Sequence, residues 1–179
     1  MGEGVFNPVL VYRVLFVGIA VVLLFLRLLP VDQGTEGWPG PDLLLCLICA
    51  WTMRRPDFLP VGLVAAVVVA EDLILMRPPG LWAALVVLAA EFIRSRVALT
   101  RELTFAVEWL LVAGIMVSLF LAYRVIFALA FVPQAGFGYA LVGVLWSILC
   151  YPAVVLVSRL ALDLRKPAMG EVDAYGRRL

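Results

Sequence analysis

Long apolar segments fill most of this 179-residue chain, and they constrain its fold more than any other feature. Four segments, 9–29, 58–76, 103–131 and 138–162, come close to or exceed the roughly 20 apolar residues that a helix needs to cross a bilayer. Hydrophobic residues make up 65% of the chain, whereas soluble domains average roughly half. The sequence therefore predicts an all-α polytopic membrane protein.

Two further apolar segments are short. Segment 41–53 begins with a Pro-Asp pair and ends at a turn at 54–56, and segment 80–93 follows two prolines and ends in acidic and basic residues. Proline is well tolerated in the first turn of a helix, so both segments are expected to be helical. Each is predicted to be either a short tilted span or a re-entrant piece.

The distribution of basic residues favours six spans with both termini in the cytoplasm. Counted this way, eleven of the fourteen Lys and Arg residues lie on the cytoplasmic side, as the positive-inside rule expects. The three on the outer side are Arg27, Arg77 and Arg124. The alternative is five spans with an outer N-terminus, if segment 41–53 does not cross. The prediction is a compact bundle of six transmembrane helices, with five possible, over residues 1–162, followed by a short cytoplasmic tail at 163–179.

Residues with catalytic or metal-binding chemistry are sparse. The chain has no histidine, and Cys46 and Cys49 form a lone pair inside an apolar run without further ligands for zinc. No serine has a base beside it that could activate a nucleophile. We therefore expect no enzyme activity, cofactor or metal. The net charge of +1 and the lack of a basic patch also argue against nucleic acid as a partner.

Charged residues fall into two sets of mixed sign, near opposite ends of the spans. The outer set is Arg27, Asp42, Glu71, Asp72, Arg77 and Arg124, and the inner set is Arg13, Asp57, Glu91, Arg94, Glu102 and Glu108. Because a lone charge inside a membrane is costly, we expect pairing within each set. Asp72 in particular is predicted to pair with an arginine of similar depth, Arg27 or Arg124. Partner contact and ion translocation are the alternatives.

Two features suggest possible contact surfaces. Small residues recur at every fourth position at 62, 66 and 70, at 114, 118 and 122, and at 143 and 147. Such stripes mark faces where helices pack closely, either within the bundle or against a partner. The turn at Arg54 and Arg55 is predicted to present two cations at the cytoplasmic surface, where they fix orientation and meet anionic lipid or dock a partner segment.

The stretch 41–96 resembles the core of the MreD family of rod-shape-determining proteins. The motifs that carry the resemblance are Pro41-Asp42, Ala50-Trp51, Arg54-Arg55-Pro56 with Pro60, Asp72, Pro79-Gly80, and Glu91 with Arg94. The match is clear over about a third of the chain and rests on hydropathy and length elsewhere. The ending GEVDAYGRRL is also similar to tails in one branch of the family.

The resemblance implies a non-enzymatic scaffold of the bacterial inner membrane. Its partner would be a bitopic MreC-like protein, which links it indirectly to MreB filaments and to the RodA polymerase with its transpeptidase. The implied fold is similar to the six-helix S components of transporters, so a small-molecule-binding subunit is the alternative function. The residues expected to serve partner contact or structure are Asp42, Arg54, Arg55, Asp72, Gly80, Glu91 and Arg124.

Overall fold

A computed structural model describes residues 8–29, 39–100 and 104–162. These residues form six α-helices and one short 3-10 turn, Pro56–Phe58. The helices are α1 Pro8–Leu28, α2 Leu43–Arg54, α3 Val61–Ile74, α4 Leu81–Thr100, α5 Phe105–Leu129 and α6 Phe137–Leu162. The all-α prediction is confirmed. The predicted tail at 163–179 and the predicted outer loop around Asp32 and Glu36 lie outside the described residues.

Of the six helices in the described residues, three are long and apolar enough to cross a membrane, namely α1, α5 and α6. The prediction for segment 58–76 was wrong in length, because α3 has only 14 residues. The 3-10 turn and Pro60 delay its start, and Met76, whose φ is +51°, follows its end. Conversely, α4 continues past the predicted end at 93 to reach 20 residues. Glu and Arg are good helix formers, so the loss of apolar character there does not end the helix.

The short helix α2 is the centre of the bundle. It packs against α1, α4 and α6, while α3 packs on α1 and α4, and α5 packs on α4 and α6. Every residue from Leu44 to Arg54 is buried. Its 12 residues rise only about 18 Å. A short apolar run of this length is typical of a core helix. Segment 41–53 is therefore apolar because protein surrounds it.

Successive helices run in alternating directions. Arg27 at the end of α1 lies 3.6 Å from Asp42 at the start of α2, and Arg13 near the start of α1 donates to the Asp57 carbonyl, 3.3 Å away, just after α2. The Tyr12 hydroxyl donates to the carbonyl of Leu162 at 3.2 Å, so α1 begins where α6 ends. We call the end with Arg27 and Asp42 the outer end, and the opposite end the inner end, after the predicted topology.

Trp51 is the largest of the fully buried side chains and fastens α2 to α1. Its ring centre lies 5.5 Å from that of Phe16 and 6.4 Å from that of Tyr12. Tyr12 in turn stacks on Phe58, with ring centres 4.5 Å apart. Offset and edge-on aromatic pairs add to the apolar packing at such contacts. The Ala-Trp motif is thus part of the core.

Candidate functional site

Five of the six charges predicted for the outer set meet at the outer end. Glu71 is buried, and its Oε1 atom accepts hydrogen bonds from Arg27 Nη1 at 2.6 Å and from Arg77 Nη2 at 2.7 Å. The same Nη1 atom of Arg27 also lies 3.6 Å from Asp42 Oδ2. Because each charge has an opposite charge beside it, part of the desolvation cost of burying this group is offset. We call Arg27, Asp42, Glu71, Asp72 and Arg77 the outer cluster.

Asp72 closes the turn between α3 and α4. Its Oδ2 atom accepts from the backbone N–H of Gly80 at 3.1 Å and of Ala83 at 3.3 Å. Gly80 has a φ of +94°, which glycine adopts without steric cost. The predicted arginine partner is present, but it is Arg77, whose Nε lies 3.8 Å from Oδ1. Neither Arg27 nor Arg124 pairs with Asp72, so that assignment was wrong.

Asp42 joins the start of α2 to α6. Its side chain accepts from the backbone N–H of Leu45 at 3.0 Å and so caps α2. Its own backbone N–H donates to Ser147 Oγ at 2.8 Å. A Cβ added at Gly143 would lie 3.3 Å from Pro39. The small residues Gly143 and Ser147 therefore serve internal packing.

A cavity of about 240 Å³ opens beside the outer cluster. Its polar lining includes Arg27, Asp42 and Arg77, and its aromatic lining includes Trp82 and Tyr123. The Arg77 guanidinium lies 5.7 Å from the ring centre of Trp82. Among the described residues no group of three His, Cys, Asp or Glu side chains could hold a metal. The cavity presents both signs of charge next to aromatic faces, which suits binding of a small polar molecule.

A second charged group, the inner cluster, lies within the bundle at the inner end. Arg54 Nη1 donates to Glu108 Oε1 at 2.9 Å, and the Tyr151 hydroxyl donates to the same oxygen at 2.8 Å. Arg54 Nη1 also lies 3.2 Å from the Ala50 carbonyl oxygen. All three side chains are buried. The prediction that Arg54 lies at the cytoplasmic surface is wrong, because its helix is enclosed and its side chain reaches α5.

The other predicted residues lie apart from these two clusters. Arg55 is half-buried, with its guanidinium 5.9 Å from the Phe58 ring centre. Glu91 forms an ion pair with Arg94 one turn along α4, and Arg94 also bonds the Leu59 carbonyl at the inner end. Arg124 donates to the carbonyl of Ala135 and does not join the outer cluster. Glu102 lies outside the described residues.

Two of the three small-residue stripes face away from the bundle. Gly62 and Ala66 on α3 are exposed, and so are Gly114 and Ser118 on α5. A Cβ built at either glycine meets no atom of the described residues within 4 Å. Packing within the chain therefore does not require glycine at these positions. Both faces are available for close approach by another helix.

The apolar helices place the chain among helical membrane proteins by length and composition. Comparisons with protein-family models, with curated proteins and with solved structures found no match. The resemblance to the MreD family therefore rests on the motif residues of the stretch 41–96.

Proposed function

We propose that this chain is a non-enzymatic scaffold of the bacterial inner membrane, similar to MreD, that binds the transmembrane helix of a bitopic MreC-like protein. Through that partner it would act with MreB filaments and with the RodA polymerase and its transpeptidase in side-wall synthesis. In this proposal all six helices cross or lie within the bilayer, with both termini in the cytoplasm.

The positions of the motif residues support the family assignment. Asp42 caps α2, Asp72 caps the turn into α4, Gly80 supplies the left-handed turn, and Arg54 joins α2 to α5. These contacts form helix caps, a turn between helices and a link between two helices. A family that shares these residues would for that reason share this bundle.

The helix directions and the charges support the six-span topology. Helix α2 runs from the outer end to the inner end, so α1 and α3 point in the same direction. When all six helices pass between the two ends, the number of passes is even and both termini lie on the same side. Among the residues that the structure describes, more arginines lie at the inner end than at the outer end. The inner ones are Arg13, Arg54, Arg55, Arg94, Arg96 and Arg159. An excess of basic residues on one side is the pattern of a cytoplasmic face.

The uncovered face of α5 carries the scaffold proposal. Gly114 and Ser118 form a small-xxx-small pair, and the large apolar side chains Leu110, Leu121 and Val125 beside them are exposed. Helices associate in lipid by close packing at such small residues, because lipid chains remove the hydrophobic drive that operates in water. A single transmembrane helix of a partner fits this face.

Gly114→Leu is expected to reduce recovery of the MreC-like partner about tenfold, a loss of about 1.4 kcal/mol of binding. The new side chain would hold the partner helix away, whereas its Cβ would meet no atom of the described residues within 4 Å. Leucine is also the better helix former, so the fold should persist. Recovery is measured by co-purification of the tagged chain in mild detergent.

Gly18→Leu is the matched control, because Gly18 is also a helical, exposed glycine with open space around it, on α1. The residues four positions before and after Gly18 are valines, 14 and 22, so α1 lacks the small-residue stripe of α5. Full recovery with Gly114→Leu, or equal loss with both variants, would remove the assignment to α5. Gly62→Leu tests the α3 stripe in the same assay.

The outer cavity favours a second candidate, a small-molecule-binding subunit similar to a transporter S component. Its arginines, its aspartate and Trp82 converge on one open space. Under this alternative Trp82→Ala abolishes function in the host and Gly114→Leu does not. The scaffold proposal expects Gly114→Leu to be the more damaging change, and growth and cell shape of the two strains separate the alternatives.

A further inference from the structure

Arg124 differs from the two arginines of the outer cluster. Arg27 and Arg77 each donate to Glu71, whereas no carboxylate of the described residues pairs with Arg124. Its Nη1 donates to the Ala135 carbonyl at 3.1 Å. Its guanidinium lies 5.8 Å and 5.3 Å from the ring centres of Phe120 and Phe137. A guanidinium has five N–H donors, so most of them are left for another acceptor.

A cavity of about 250 Å³ lies against this arginine, and we call it the Arg124 cavity. Its lining contains one cation, one amide side chain and no acid. The lining residues are Phe120, Tyr123, Arg124, Phe127, Pro133, Gln134, Ala135 and Ala140. The Gln134 side chain donates to the backbone carbonyl of Arg124 at 3.0 Å and fixes the loop to α5. The cavity therefore carries net positive charge, in contrast to the mixed charges of the cavity beside the outer cluster.

The first turn of α6 adds to this positive potential. Helix α6 begins at Phe137, whose ring contacts Arg124. The first N–H groups of a helix have no partner within it, and the helix dipole places partial positive charge there. This effect alone would not define a site. Together with the arginine and the cavity it favours an anion.

The depth of Arg124 points to the lipid headgroups. It follows Glu108 by 16 positions on α5, which corresponds to about 24 Å along the helix. A helix of this apolar character spans a hydrocarbon core of about 30 Å. An arginine near the end of such a span extends its charge to the interface. Phe120 comes one turn before Arg124 on α5 and is therefore deeper in the span, where the upper part of an acyl chain would lie.

We propose that the Arg124 cavity binds the phosphate group of a membrane lipid, with the guanidinium as its main donor. Arginine suits this role because its planar N–H groups form paired hydrogen bonds to phosphate oxygens. Phe120, which is deeper in the span than Arg124, contacts the apolar part of the lipid. The site is separate from the α5 stripe, so it does not depend on the proposed partner.

Native mass spectrometry of the detergent-purified chain with dioctanoyl phosphatidic acid tests this inference. We expect one retained lipid per chain, and at least about tenfold weaker retention by Arg124→Gln. Arg96→Gln is the matched control, because Arg96 also lies over a ring, that of Phe92 at 5.5 Å, and is exposed. It is expected to retain the lipid like the wild type. Arg124→Lys, which keeps the charge and loses the planar geometry, should fall between.

Measurements on the wild type keep the inference testable even if Arg124→Gln misfolds. Dioctanoylglycerol, which lacks the phosphate, should not be retained. Equal retention of dioctanoylglycerol would show an apolar cavity and overturn the proposal, and so would unchanged retention of phosphatidic acid by Arg124→Gln. Displacement of the lipid by millimolar inorganic phosphate would contradict a lipid ligand and assign the cavity to a soluble phosphate compound.

Discussion

Glu108→Ala is expected to lower the free energy of unfolding by about 3–5 kcal/mol, because it leaves the charge of Arg54 buried without its counter-ion. Arg54 and Glu108 are both buried, and Arg54 donates to the side chain of Glu108 at Oε1, 2.9 Å away. Tyr151 loses its acceptor in the same step. Thermal unfolding in one detergent, followed by circular dichroism, measures the loss.

A triple variant separates the cost of a stranded charge from the value of the cluster. Arg54→Met, Glu108→Leu and Tyr151→Phe together remove all three polar groups of the inner cluster. Buried ion pairs replaced by apolar residues of similar volume often give stability close to that of the wild type. The triple variant should therefore be more stable than Glu108→Ala alone. If Glu108→Ala unfolds like the wild type, Arg54 reaches water and the inner cluster is not buried as described.

Trp51→Ala is expected to cost a similar amount, about 3–5 kcal/mol, which is typical of truncating a buried tryptophan. Its side chain is fully enclosed and contacts the rings of Phe16 and Tyr12. The resulting cavity is enclosed by protein and closed to lipid, because Trp51 has no exposed surface. The lost contacts on both sides of the indole are therefore not replaced. The same unfolding assay gives the difference.

Trp146→Ala is the control for this core truncation. Trp146 lies on α6 with 42% of its surface exposed, so alanine leaves an open surface there. Its loss should cost well under the value for Trp51. Equal losses from the two variants would mean that α2 is not the enclosed centre of the bundle.

Short-range patterns in the sequence predicted where helices start and where the chain turns. Asp42 and Gly80 were expected at helix starts and turns, and they lie there because capping and positive φ depend on the backbone of a few adjacent residues. The resulting helix at 43–54 was placed within two residues of its predicted start. Its environment was not predicted, since an apolar helix has the same composition in lipid and in a protein core.

Long-range contacts were harder to predict from the sequence. Depth along the spans grouped Arg27, Glu71 and Arg77 correctly, and it placed Arg124 at the same end, but Arg124 bonds the Ala135 carbonyl and does not pair with that set. Depth gives the height of a residue in the bundle and says nothing about its position around the bundle axis. For the same reason the pairing of Arg54 with Glu108, 54 positions later, was missed. Only the packing order of the helices brings those two side chains together.

The most direct test of the scaffold proposal is site-specific photo-cross-linking in the native host. A photoreactive amino acid at Ser118 lies on the uncovered face of α5, and one at Val14 lies on an exposed face of α1. The scaffold proposal expects Ser118 to give one protein adduct, a single-pass MreC-like protein linked through its transmembrane helix, and Val14 to give none. A normally inserted chain without a protein adduct at Ser118, or with the same adduct at Val14, would contradict the proposal.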